Sequence, residues 1–325
     1  MGTSVRHISR RSLLGILCCL GACVSLTACK PANEPTADAG GKDQKLRVVA
    51  TTAMVADIVE RLGGDSIAVE TLLGPGTDPH LYKPTPSDMR ALQGADLIVY
   101  SGLKLEGKMT DTLENLAKSK PVLNYTDAMA RERLPAASAD NAEHGKQFDP
   151  HAWFDVSLWA SGIDAARDAL AKADPANAEK FAANANEYKI ILADLDTWVR
   201  EQIATIPQER RVLVTAHDAF GYFGRAYGIE VQGIQGLSTE SEASLSDINR
   251  LVDELTKRKV PAVFVETSIS PKNIEALVQG AKARGHDVRI GGSLFSDAMG
   301  EAGTAQGTYV GMVRHNVTQI VEALR

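Results

Sequence analysis

The strongest constraint on this chain is a rhythm: short β-rich runs alternate with amphipathic stretches, in two sets of four. "LRVVATT" (46–52), "IAVETLL" (67–73), "DLIVYSG" (96–102) and "PVLNY" (121–125) make the first set. "RVLVTA" (211–216), "IEVQGI" (229–234), "PAVFVET" (261–267) and "HDVRIGG" (286–292) make the second. Helical periodicity fills the gaps, as in "MVADIVERLGG" and "TPSDMRALQG". Such alternation specifies an α/β fold with parallel strands, so each half is expected to be a small doubly wound unit. Between the halves, 174–207 reads as one long helix. Asp174 suits the N-cap, Pro175 the first helical position, and Pro207 the stop. Phe181, Tyr188, Ile191, Leu195, Trp198, Val199 and Ile203 mark its expected apolar side. At 1.5 Å per residue it would run to about 50 Å, a stiff strut spanning both lobes.

The N-terminal stretch does not belong to this pattern. Arg6, Arg10 and Arg11 form a basic start, 12–28 is a short apolar run, and "LTAC" (26–29) closes it. This is an export signal. Its end resembles a bacterial lipobox, which implies cleavage before Cys29 and a lipid carried on Cys29. Seventeen apolar residues lie at the bottom of the spanning range, which disfavours a permanent anchor helix. The arginine pair resembles a twin-arginine signal but lacks the aromatic residue after it, so ordinary secretion is expected. Cys18, Cys19 and Cys23 leave with the signal, which excludes a disulfide framework and a cysteine metal site from the exported chain.

The remaining 297 residues carry 32 Lys+Arg against 41 Asp+Glu. That acidic balance argues against nucleic-acid binding and suits an exported body or a cation binder. Their length points to two lobes. "KPANEPTADAGGKDQK" (30–45) has almost nothing to bury and reads as a tether. The expected layout is a signal at 1–28, a lipidated tether at 29–45, an N-terminal lobe at 46–173, a linking helix at 174–207 and a C-terminal lobe at 208–325.

Two segments far apart repeat one tripeptide. "TDPHLYKP" (77–84) and "FDPHAWFD" (148–155) each set a histidine behind Asp-Pro. His80 follows the second strand, and His151 ends the first lobe's long last loop. His217 is expected just past a buried strand, and Asp297 just past the last one. Open α/β sheets gather ligand groups at such ends. The spacings of 71, 66 and 80 residues put two candidates in each lobe, so facing lobes would bring the four together in a cleft. Three neutral imidazoles and one carboxylate suit a divalent transition metal. Pro79 and Pro150 stiffen the backbone before each histidine. Asp78 and Asp149 are placed to orient backbone or imidazole groups. Each residue alone also reads blandly: His217 or Asp218 as a helix-start residue, "FSDAMG" as a turn, Glu266 as a strand-end carboxylate. His144, His286 and His315 take the surface reading.

The chain resembles the cluster A-I metal-binding lipoproteins of bacterial ABC importers, of the TroA type that binds zinc or manganese. The resemblance rests on "GTDPHLYKPTPSD", "DPHAWFD", "RVLVTAHDAFGYFGRAYGIEVQGIQGLSTESEAS" and "IGGSLFSDAMGEAGTAQGTYVGMVRHN", and covers 46–325. It implies two lobes joined by one backbone helix, with the ion between them. Carried over by motif, the ligands are His80, His151, His217 and Asp297. The cargo implied is Zn2+ or Mn2+, with Fe2+ also open. The implied partners are an ABC permease and its ATPase on separate chains. The implied location is a bacterial membrane surface outside the cytoplasm, with the protein a lipid-anchored monomer. Many manganese members have glutamate where this chain has His217, and many zinc members have a His-rich loop where 131–147 offers only His144. The sequence sits between those subtypes.

Two other classes fit parts of the pattern. A zinc hydrolase or lyase would keep an open coordination position, whereas four protein ligands close the site. The sequence has no HExxH and no GxSxG, and Asp218 is the one evident general-base candidate. A surface adhesin would need only the lipid anchor. Neither a Walker A sequence nor an apolar run long enough to span a membrane follows residue 28, which places energy coupling in other chains.

Overall fold

Strands form where the rhythm places them. The computed structural model describes residues 45–135 and 148–325, so the signal, the tether with Cys29, and His144 lie outside the described residues. Strands β1 (Leu46–Ala50), β2 (Ile67–Thr71), β3 (Leu97–Tyr100) and β4 (Val122–Asn124) pair in parallel in the order β2-β1-β3-β4. Helices α1 (Ala53–Gly63), α2 (Pro86–Gly94) and α3 (Thr110–Leu116) lie between them in sequence. The start of α2 is written in "TPSD". Thr85 accepts from the Asp88 amide, Asp88 accepts from the Thr85 amide at 2.6 Å, and Pro86 sits in the first turn.

After short helices α4 (Val156–Ala160) and α5 (Ile163–Ala173) comes the long helix α6 (Ala178–Ala204). The second half then gives β5 (Val212–His217), β6 (Glu230–Gln235), β7 (Ala262–Glu266) and β8 (Arg289–Leu294), paired in parallel as β5-β6 and β7-β8. The two pairs lie side by side through β5 and β7, so the second half repeats the spatial order of the first. Its helices are α7 (Gly221–Tyr227), α8 (Leu245–Arg258), α9 (Lys272–Ala283) and α10 (Tyr309–Leu324).

The central strands are covered on both faces, which is why β1, β3, β5 and β7 read as nearly continuous apolar runs. In the first half Val48, Ala50, Leu97 and Val99 enter the main core while Val49, Ile98 and Tyr100 enter a smaller one. In the second, Leu213, Ala262 and Phe264 face the main core while Val212, Val214 and Val263 face another. This is the two-residue period of a strand. The main core runs without a break through the first sheet, the buried side of α6 and the C-terminal helix α10.

The long helix departs from the sequence reading in three respects. Residues Pro175–Asn177 form a separate tighter turn, and the α-helix has 27 residues, about 40 Å rather than 50 Å. Asp174 does not cap it through a backbone amide; its Oδ2 accepts from the Asn177 side chain at 2.6 Å. The buried stripe is Phe181, Ala185, Tyr188, Leu192, Leu195, Val199 and Ile203. Ile191 lies one residue off that 3.6-residue period and is exposed, with Leu192 taking its place, and Trp198 stays at the margin under the Arg314 guanidinium.

A buried carboxylate fastens this helix to both halves. Asp57 in α1 accepts from the Tyr188 hydroxyl in α6 at 2.5 Å and from the Tyr309 amide at the start of α10 at 3.2 Å. Burial holds the Asp57 carboxyl above its ordinary range, against the pull of those two donors. Among the described residues no helix is long and apolar enough to cross a membrane. Tyr188→Phe leaves a buried Asp57 oxygen without its donor and is expected to cost about 1–3 kcal/mol of unfolding free energy; denaturant titration will read it as a lower midpoint with an unchanged slope.

Candidate metal centre

The repeated tripeptide has a local physical cause. In each copy the aspartate folds back over proline to accept the amide of the histidine. Asp78 Oδ1 takes the His80 N–H at 2.9 Å and Asp149 Oδ1 takes the His151 N–H at 2.9 Å. The Asx turn fixes the backbone, and proline supplies the constrained φ between its ends. Asp149 Oδ1 also lies 2.7 Å from His151 Nδ1, which leaves Nε2 as the outward donor atom. The His80 backbone is seated on a tight turn of the following segment. Gly107, at φ 45°, passes so close that a Cβ there would meet the His80 carbonyl oxygen at 2.6 Å.

In the second half, His217 is the last residue of β5 rather than a residue beyond it. Glu266, the last residue of β7, accepts the His217 amide at 2.9 Å and lies 2.6 Å from its Nδ1. Asp297 follows β8 on a turn held by Asn316, which accepts the Phe295 amide at 2.9 Å and donates to the Phe295 carbonyl at 2.7 Å.

These four side chains meet. His80, His151, His217 and Asp297 are all buried, and one donor atom from each lies within 4.8 Å of every other. His80 Nε2 and His151 Nε2 are 3.3 Å apart. Asp297 Oδ1 is 3.4 Å from His151 Nε2, and Oδ2 is 3.2 Å from His217 Nε2 and 3.8 Å from His80 Nε2. Metal–nitrogen bonds of about 2.0–2.1 Å in a tetrahedron give a donor–donor edge of about 3.3 Å, so the set could hold a zinc-sized ion. Both Asp297 oxygens and His217 Nε2 are buried with no hydrogen-bond partner among the described residues. Such orphaned atoms converging on one point call for a cation.

The electrostatics agree. Burial opposes charge on His151, but the bonded Asp149 and then Asp297 outweigh it and hold the imidazole above its ordinary value. Burial likewise opposes charge on His217, and the charges of Glu266 and Asp297 raise it well above. Asp297 is pushed up by burial and pulled further down by the imidazoles, ending well below the carboxylate range. Both charge attraction and the close approach of the His151 and His217 nitrogens draw the carboxyl down.

The chain matches the family described as "Zinc-uptake complex component A periplasmic" over residues 48–323. It belongs to this ZnuA family. It is 50% identical over 290 residues to a manganese-binding lipoprotein, MntA, of Bacillus subtilis, covering 89% of this chain and 93% of that one. It is 48% identical over 282 residues to the zinc-binding protein TroA of Treponema pallidum, covering 87% and 90%. The solved structure of that periplasmic zinc-binding protein superposes with a TM-score of 0.83, covering 86% of this chain and 99% of its own. The two-lobed architecture about one long helix is thus the family's.

Other residues of this ZnuA-family chain stand apart from the cluster. His286 Nε2 lies 2.7 Å from the Val260 carbonyl, and His315 Nε2 lies 3.0 Å from that of Ser293. Asp218 caps nothing, since α7 starts at Gly221 with Phe220 before it; burial and the Asp149 charge raise its carboxyl. The sequence reading did not find the Tyr222 hydroxyl, which donates to the Asp149 carbonyl at 2.8 Å, or the part played by Trp153. The aromatic residues directly after His151 were the available signal. Because carboxylates sit on both Nδ1 atoms, long-range proton–nitrogen NMR of the zinc-loaded protein is expected to show His151 and His217 protonated at Nδ1 alone; a proton on Nε2 with Nδ1 bare would contradict the geometry.

Proposed function

We propose that this protein captures a divalent transition metal, zinc and/or manganese, outside the cytoplasm and delivers it to an ABC permease energised by a separate ATPase. His80, His151, His217 and Asp297 are its ligands, Fe2+ is a further candidate ion, and Cys29 carries the lipid that holds the protein at the membrane. The lobes run 46–173 and 208–325 about the linking segment 174–207. The observation that carries this reading is the meeting of four buried donors from both halves, all within 4.8 Å of one another. Four protein donors leave no open position for a hydrolytic water, which turns the chemistry from turnover to carriage. The relatives named for manganese and for zinc support the cargo. Three nitrogens and a carboxylate favour zinc over manganese in intrinsic affinity, so manganese carriage would depend on which ion is available.

The decisive experiment is titration of metal-stripped protein with Zn2+ and with Mn2+ in turn; if neither binds more tightly than micromolar, the reading is lost. Glu266→Gln removes the charge behind His217 and is expected to weaken zinc binding about 10–100-fold while the fold persists.

The pH dependence has a definite sign. Bound metal displaces protons, and the two raised imidazoles hold theirs to above the ordinary histidine value of about 6.5. Affinity should therefore rise with pH from about 5.5 upward, and calorimetry in buffers of different ionisation enthalpy should show proton release at neutral pH. A flat affinity across that window would contradict the ligand set.

A further inference from the structure

The turn that carries Asp297 is fixed from two sides. Asn316 binds Phe295 through both of its polar atoms, and Ser268 Oγ lies 3.0 Å from Ser296 Oγ. Those residues belong to the second lobe and set the shape of the turn within that lobe. A hydrogen bond to the first lobe comes from Trp153, whose indole Nε1 donates to the Ser296 carbonyl at 3.1 Å across 143 residues of sequence.

Trp153 is well placed to act as a spacer. It is fully buried, and its ring stands edge-on to His151 with centroids 5.3 Å apart. Its own carbonyl accepts the Tyr309 hydroxyl at 2.6 Å, and the Tyr309 amide is bound by Asp57. One rigid side chain therefore touches the His151 ring and bonds the residue next to Asp297. The gap it spans is the one across which His151 Nε2 and Asp297 Oδ1 stand 3.4 Å apart.

Resting on the metal-carrier reading, we infer that Trp153 is a positioning residue whose indole N–H sets the distance between the first-lobe and second-lobe ligands. Without that bond the 295–298 turn keeps its internal shape but loses its register against His151. The ligand set then closes less well on an ion, although no ligand has been removed.

The molecule supplies its own control. Trp159 is equally buried, and its Nε1 has no hydrogen-bond partner among the described residues. Trp153→Phe and Trp159→Phe remove the same atoms, but only the first removes a hydrogen bond.

The test uses metal-stripped protein with Zn2+ affinity read by chelator competition and Co2+ coordination read by visible absorption. Trp153→Phe is expected to weaken Zn2+ about tenfold, the equivalent of one net hydrogen bond, and to shift the Co2+ bands. Trp159→Phe is expected to leave both unchanged. Replacing Trp153 by benzothienylalanine, which keeps the shape but has sulfur in place of N–H, is expected to reproduce the Phe variant and covers the case in which that variant fails to fold. Wild-type affinity and bands in the benzothienyl protein, or equal weakening by Trp159→Phe, would overturn the inference. A wild-type protein that binds neither Zn2+ nor Co2+ would instead overturn the carrier reading, and this inference with it.

Discussion

A carboxylate cannot be taken out of water without compensation, and Asp297 is taken out entirely. Its two oxygens have no donor aligned on them, only three imidazole nitrogens gathered in front. The energetic problem this poses is solved by a positive charge at the centre, whether protons on the rings or a divalent ion among them. Much of the surrounding structure serves to keep those four groups facing one another. The two Asx turns aim His80 and His151, the paired ends of β5 and β7 set His217 against Glu266, and Asn316 shapes the last turn. The result is a site whose donors are each fixed by protein contacts, which reduces the ordering cost of binding.

The supporting carboxylates explain why the imidazoles can do this in a dry interior. Asp149 and Glu266 each bind both an amide and an Nδ1 of the same histidine. Backbone and ring are thus fixed by one side chain, and the charge behind each ring makes Nε2 a better donor. The same carboxylates hold protons on the rings more firmly, so proton competition is the counterpart of ligand strength.

The central strands were legible in the sequence because both of their faces are buried. Runs such as "LIVY" and "VLV" must be apolar on every residue, and turns must punctuate them. The four clustered residues were legible because each stands at a strand or loop end with a recognisable neighbour, Asp-Pro above all. Periodicity failed at Ile191, where two adjacent isoleucines followed by leucine offer more apolar residues than the helix can bury, and the stripe that wins is set by Tyr188 and Leu195 on either side. Trp153 was missed for another reason: its place two residues after His151 was visible, but the hydrogen bond that gives it a role spans 143 residues. Asp174 shows a third kind of failure: a residue of the right type for a cap met a competing side chain, Asn177, before it met a backbone amide.

The main apolar cluster passes from the first sheet through the long helix into α10 without interruption. Neither lobe therefore owns a complete interior. A gene fragment encoding one lobe would leave half of a hydrophobic surface open to solvent, and grafting a lobe from a distant relative would require matching that surface residue by residue. Variation in this architecture is thus expected to accumulate around the cleft rim and the outer helices, while the two lobes are inherited together as one indivisible body.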